Sequence, residues 1–278
     1  MKKVARFMVE LTLVIAIVTF VLVQILSSTI LSKSYVISSL DKYNYYEKTY
    51  ELLESNFENY MQQSGLQEDI LKNIVTKDRI EKDTKSIISN IYDGIIEDIN
   101  TDDMEKDLID KIYTENPSLS SEQKKSVEDF VKEISNEYKN TILSINKEKE
   151  LHAGYDKIMD YIKLANKVLI ILIGASIIIL ILLNLKRNYK IMANIGTSLL
   201  ASGGILLVAN IYTNIKIKIQ YITIINTPVS EVVRDVFTDI LSKILKYGIT
   251  FAIVGLIMII ISNLIHNKLK YSDEENEE

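Results

Sequence analysis

Few side chains in this sequence are equipped for chemistry, and their neighbours narrow what they can do. Cysteine is absent, and histidine occurs twice, as His152 and His266. Without thiols there is no disulfide, cysteine nucleophile or thiolate metal site. His152 stands alone in the run Glu150-Leu151-His152-Ala153-Gly154-Tyr155-Asp156. A zinc site needs more nitrogen or sulfur ligands than that, so His152 reads as a solvated histidine at a helix end. His266 reads as the marker of an interface. The densest acidic cluster is Asn100, Asp102, Asp103, Glu105 and Asp107. It lacks the glycine and the ligand order of an EF-hand loop. A solvated helix start is the plain reading, with loosely held calcium as the sharper one. Walker A, G-x-S-x-G and H-E-x-x-H patterns are missing, and no pair of carboxylates stands out as a glycosidase pair would. The expectation is a chain with no catalytic residue, no cofactor and no metal.

Ionisable and polar residues within long apolar runs are the other candidates, because their desolvation is costly unless they do something. Glu10 is the one acidic residue in such a run, and Arg6 one turn earlier can pair with it. A later run carries two patterns. Ala193, Thr197 and Ala201 recur at spacing four, and Gly196 is followed at spacing eight by Gly204. Small residues at such steps let helices approach closely, and Gly248 with Ala252 offers a matching surface. Asn194, Ser198, Ser202 and Asn210 form a polar line that would suit a pathway through the membrane. Helix packing, within one chain or in a homo-oligomer, is the preferred reading of this run.

The elements that position these residues follow from the distribution of apolar side chains. Of 278 residues 47% are hydrophobic and 25% charged, ordinary averages for a soluble domain. They are segregated, however, as in a membrane protein with a soluble part. Residues 7–31 form the first apolar run, long enough at about 37 Å to cross a hydrocarbon core of about 30 Å. It is longer than the apolar region of a signal peptide and no A-x-A site follows it, so an uncleaved anchor is expected. Residues 168–185, 191–212 and 247–265 are three further spans, 191–212 being the most polar. Basic residues cluster before the first span (Lys2, Lys3, Arg6), in the turn 186–190 (Lys186, Arg187, Lys190) and after the last (Lys268, Lys270). By the positive-inside rule residues 1–6, the turn 186–190 and the tail 266–278 are cytoplasmic, while 32–167 and 213–246 lie outside. The outer loop also carries Lys216, Lys218, Arg234, Lys243 and Lys246, which weakens the contrast. The final acidic run is expected to be disordered. A net charge of −5 leaves no footprint for nucleic acid.

The block 33–167 holds 28 acidic and 19 basic residues, a balance of −9. Tyr46, Tyr50, Leu53, Phe57 and Tyr60 step by four and three, one face of a helix. The spacing predicts a helix over 34–63 capped near Gly65, with further helices over 66–75 and 78–92. Another starts at Thr101, with Asp102 and Asp103 in its first turn. Pro117 breaks the chain. Ser120 with Gln123 then forms a capping box opening a helix to Ile145, with Val127, Phe130, Ile134, Tyr138 and Ile142 on one face. A segment from Leu151 should run on into the second span. After the third span, Ile215, Ile217 and Ile219 alternate with lysines as in a strand, although helical continuation is preferred. Thr227 and Pro228 start an amphipathic helix that packs on the outer domain or lies on the leaflet. The fold class is thus all-α: four transmembrane helices with a helical-bundle extracytoplasmic domain.

The first span followed by SYVISSLDKYNYYEKTYELLESNFENY resembles a group of Gram-positive bacterial membrane proteins with one span, a helical outer domain and then three spans. That resemblance implies the layout and no activity. The span order is also similar to that of permease subunits of the FtsX and MacB type, whose outer domains mix strands and helices; fold likeness does not carry function. The leading expectation is a non-enzymatic membrane protein, its partners the lipid bilayer and an unknown protein, whose outer domain binds that protein or senses the envelope. A permease-like subunit served by a separate ATPase is the alternative, and a membrane-bound hydrolase a more distant one.

Overall fold

The computed structural model describes residues 2–64, 70–95, 99–143, 148–185, 187–223 and 227–275. They form α1 (Lys2–Ser27), α2 (Lys33–Lys42), α3 (Tyr45–Ser64), α4 (Lys77–Asp93), α5 (Asp102–Glu115), α6 (Ser121–Leu143), α7 (Glu148–Leu183), α8 (Asn188–Lys216) and α9 (Thr227–Glu275). A single 3-10 turn lies at Ile219–Tyr221, and the described residues contain no strand. Lys3–Ser27, Leu151–Leu183, Asn188–Lys216 and Thr227–Leu269 are each long and apolar enough to cross a bilayer. The span in α8 is the least apolar, with mean hydropathy 1.7 against 2.4 for the next lowest. The chain is an all-helical, multi-pass membrane protein.

Its residues group into two units. One comprises 1–31, 158–221 and 236–278, the other 32–157 and 222–235.

In the first unit α8 is held on two faces. Asn194, Ser198, Ser202 and Leu206, at spacing four, are buried and turned toward α1. Ser202 Oγ donates to the Val14 carbonyl (3.4 Å), and Leu206 packs with Val21 and Ile25. A second face has spacing seven. Ser262 Oγ donates to the Tyr189 carbonyl, Gly196 lies against Gly255, Gly203 against Gly248 and Ala252, and Asn210 Nδ2 donates to the Leu241 carbonyl (2.6 Å). Positions 189, 196, 203 and 210 thus meet 262, 255, 248 and 241 in antiparallel order. A heptad step keeps one seam facing its neighbour, and glycine at the close points lets the backbones meet. A Cβ on Gly203 would stand 2.6 Å from the Ala252 nitrogen and 2.7 Å from the Gly248 carbonyl. On Gly255 it would stand 2.5 Å from the Leu200 nitrogen. α7 joins α1 through Gln24 Nε2, which donates to Asn166 Oδ1 (2.9 Å).

In the second unit the core is Tyr45, Leu53, Ile80, Met104, Leu108, Ile112, Ile134, Tyr138 and Ile142, all essentially without solvent contact. The single helix expected over 34–63 is in fact two. Asn44 adopts φ 55°, a left-handed conformation asparagine tolerates better than most residues, and it ends α2 after Tyr43. The bend inserts Tyr45 into the core, where its hydroxyl donates to the Ile142 carbonyl. The helix expected over 66–75 is absent over 70–75, where Asn73 has φ 64°. Lys111 Nζ holds this turn by donating to the Ile70 carbonyl (2.8 Å). Gly65 and Leu66 lie outside the described residues.

The helix expected over 78–92 is α4, and the other local expectations divide. α4 is capped by Thr76, whose side chain accepts from the Arg79 amide, and ends at Gly94 with φ 74°. Ser120 and Gln123 exchange the two bonds of a capping box: Ser120 N donates to Gln123 Oε1 (2.9 Å) and Gln123 N to Ser120 Oγ (3.3 Å). On α6 the buried stripe is Val127, Val131, Ile134, Tyr138 and Ile142, so Val131 stands in the core and Phe130 at its margin. α7 runs without interruption from Glu148 into its span. α8 ends at Lys216 and Ile217 is extended, so the continuing helix expected across 215–222 stops there. The amphipathic segment and the fourth span form one helix, α9. Its first residues belong to the second unit, with Ser230 and Val232 buried and Glu231 paired with Lys48 (2.7 Å).

Candidate functional site

The second unit carries a cleft of about 430 Å³ between α3 and the turn 71–75. α3 supplies Tyr50, Leu53, Glu54, Phe57, Glu58, Met61 and Gln62, and the turn supplies Leu71, Lys72, Asn73 and Val75. The arrangement follows from helical spacing. Leu53, Phe57 and Met61, four apart, are buried along the floor with Leu71 and Val75 opposite. Glu54 and Glu58, one position further round the helix, are exposed at the rim. The Tyr50 hydroxyl donates to Glu54, and its pKa is raised, first by that bond, then by burial and by the charges of Glu54 and Glu47. Lys77 pairs with Glu47 and sits 5.5 Å above the Tyr50 ring, a cation–π arrangement that steadies one side. Five of the eleven lining side chains are apolar, and they form a floor beneath a predominantly polar lip.

Other polar groups of this unit bond to one another. Ser135 Oγ donates to Glu105 Oε1 (2.6 Å), and Thr101 Oγ1 donates to the same carboxylate (2.9 Å). These bonds hold the Glu105 carboxyl below its ordinary pKa, Ser135 being the larger cause. Asp102 and Asp103 are exposed, and no group of three or more acidic or histidine side chains among the described residues is placed to hold a metal. Tyr138 donates to Asp83 Oδ2 (2.7 Å), and its pKa is raised by burial and by that carboxylate. The sequence reading of His152 as solvated needs correction. Its Nδ1 donates to the Ile91 carbonyl (2.8 Å), its Nε2 faces Asp156 Oδ2 (3.1 Å), and its ring covers Gly94. The absent side chain at Gly94 makes room for the ring, a relation that spans 58 positions and leaves no local signal.

Among the membrane residues, Asn194, Ser198, Ser202 and Asn210 are all buried. Ser198 and Ser202 donate to the carbonyls four residues back (2.9 and 2.8 Å). With its amide nitrogen toward α1, Asn194 donates to Glu10 Oε1 (3.2 Å) and to the Lys190 carbonyl (3.1 Å), and accepts from Asn184 Nδ2 (3.2 Å). The packing set divides. Gly196, Gly248 and Ala252 lie on the α8–α9 seam. Thr197 and Ala201 are exposed, Ala193 is half-buried, and nothing lies within 4 Å of the position a Gly204 side chain would take. Gly203 and Gly255 complete the seam. Their spacing of seven from Gly196 and Gly248 is the signal that a search at four and eight passes over. His266 stacks on Tyr189, ring centroids 4.5 Å apart. No protein-family model, curated protein or solved structure matches this chain, so the residues themselves carry the functional reading.

Proposed function

We propose that this is a non-enzymatic membrane protein whose helical domain stands on the outer face and docks a protein partner in the α3 cleft. The observation that carries the reading is the pairing of an apolar floor, Leu53, Phe57 and Met61, with the carboxylates Glu54 and Glu58 at the rim. The complementary partner is a short segment with an apolar anchor flanked by lysine or arginine. The basic residues at the α1 and α8 starts support placing both termini in the cytoplasm. A transport role along Asn194, Ser198, Ser202 and Asn210 has less support, because those polar groups spend their hydrogen bonds on helix backbone and neighbouring amides. If they did line a route, Ser198→Leu with Ser202→Leu would abolish transport.

The test uses the purified full chain and a fluorescent probe peptide with leucine anchors and flanking lysines, read by anisotropy. Saturable binding is expected, about tenfold weaker for Glu54→Lys/Glu58→Lys, since each rim charge contributes up to about 1 kcal/mol. The same peptide with glutamates in place of lysines should not bind. Equal affinity of both peptides, or an unchanged affinity in the charge-reversed variant, refutes the proposal.

A further inference from the structure

The parallel helices α1 and α8 start at the same end of the membrane unit. Glu10 and Asn194 meet there at 3.2 Å, which fixes their register. One turn before each of these stands a cation, Arg6 before Glu10 and Lys190 before Asn194. Residues one turn apart share a helix face, so Arg6 and Lys190 are brought side by side. Lys3 and Arg187 follow one turn earlier again, and Arg187, Arg6 and Lys3 are all near enough to Lys190 to repel its charge. Three cations therefore gather around a fourth, Lys190, and Glu10 is the carboxylate that acts on Arg6. None of the four forms an ion pair with another described residue, and Arg6 Nε is buried without a partner. α8 adds its own positive end, since its N-cap Arg187 provides no side-chain bond to the first-turn amides. Folding has concentrated four positive charges here against the single carboxylate of Glu10, an excess of like charge that favours a bound anion.

The surroundings tell what kind of anion. Val4, Phe7 and Met8, on the same two turns of α1, are 66%, 61% and 55% exposed. Exposed apolar side chains beside an unneutralised basic cluster suit a ligand that is phosphate at one end and hydrocarbon at the other. We infer that Lys3, Arg6, Arg187 and Lys190 bind the headgroup phosphate of an anionic phospholipid whose acyl chains lie along the Val4–Phe7–Met8 side of α1. Basic clusters between membrane helices recognise anionic headgroups in this way. A bound phosphate would also answer the orphan Arg6 Nε and fasten the α1 start to the α8 start.

The experiment titrates the full chain in neutral detergent with phosphatidylglycerol, phosphatidylcholine or inorganic phosphate, following thermal unfolding and lipid adducts by native mass spectrometry. Phosphatidylglycerol should raise the melting temperature and remain as an adduct, with phosphatidylcholine doing neither. Arg6→Gln/Lys190→Gln should weaken phosphatidylglycerol binding about thirtyfold, and the charge-preserving Arg6→Lys/Lys190→Arg should retain most of it. Equal effects of the two lipids overturn the inference, as does phosphatidylglycerol binding that survives the double Gln substitution. A full stabilisation by inorganic phosphate alone would make this a simple anion site and overturn the lipid assignment. Loss of folding in the Gln variant would leave the charge-preserving variant and the lipid comparison on the native chain to decide.

Discussion

Gly203 and Gly204 are adjacent in sequence and should respond oppositely to the same substitution. A methyl group on Gly203 would stand 2.6 Å from the Ala252 nitrogen, 2.7 Å from the Gly248 carbonyl and 3.1 Å from the Ala252 Cα. These are backbone atoms of α9 and cannot swing aside as a side-chain tip could. Ordinary contact needs roughly 3.5 Å, so α8 and α9 must part by about 0.9 Å. Overpacking of that kind costs about 3 kcal/mol at the upper end of the usual range. Replacing glycine by alanine inside a helix returns about 1 kcal/mol. The net expectation for Gly203→Ala is a loss of about 2 kcal/mol. At Gly204 nothing lies within 4 Å, so only the helix term acts and Gly204→Ala should be neutral or stabilising by up to about 1 kcal/mol. Unfolding of the purified chain in mixed micelles, followed by circular dichroism, measures both. Equal tolerance of the two substitutions, or greater damage at Gly204, would refute the heptad seam.

Topology can be read with single cysteines, because the native chain has none. Ser86, Asn188 and Thr227 are exposed, whereas Ser230 is buried and unsuited. On intact cells an impermeant thiol reagent should label Ser86→Cys and Thr227→Cys and spare Asn188→Cys until lysis; the reverse pattern would put the acidic domain inside. In the helical unit, the Ser135 bond lowers the Glu105 pKa from 4.5. A carboxylate with a depressed folded pKa stabilises the fold above its unfolded pKa, and that contribution is lost as pH falls through the folded value. Ser135→Ala should therefore cost about 1 kcal/mol at neutral pH, with the gap to the native chain closing below pH 4.5. A gap independent of pH in urea titrations would assign the loss to packing instead.

Long apolar runs, caps and helical periodicity are local properties, and they made most of this architecture legible in the sequence. Four spans, the Ser120–Gln123 capping box, the helix over 78–92 and the passage of α7 into its span all depend on residues within a turn or two. The run 34–63 shows where local reading stops. Its periodicity continues smoothly past Asn44, yet the chain bends there because burying Tyr45 beneath Ile142 outweighs one uninterrupted helix. The cleft joins α3 to a turn that has no periodic signature, so its floor was visible as an apolar face and its opposite wall was not. In the membrane unit, composition marked α8 as a packing helix but not which face packs. Several periods coexist in a run rich in small residues. The choice of spacing seven toward α9 and spacing four toward α1 was made by the two partners, whose backbones approach only where glycine leaves space.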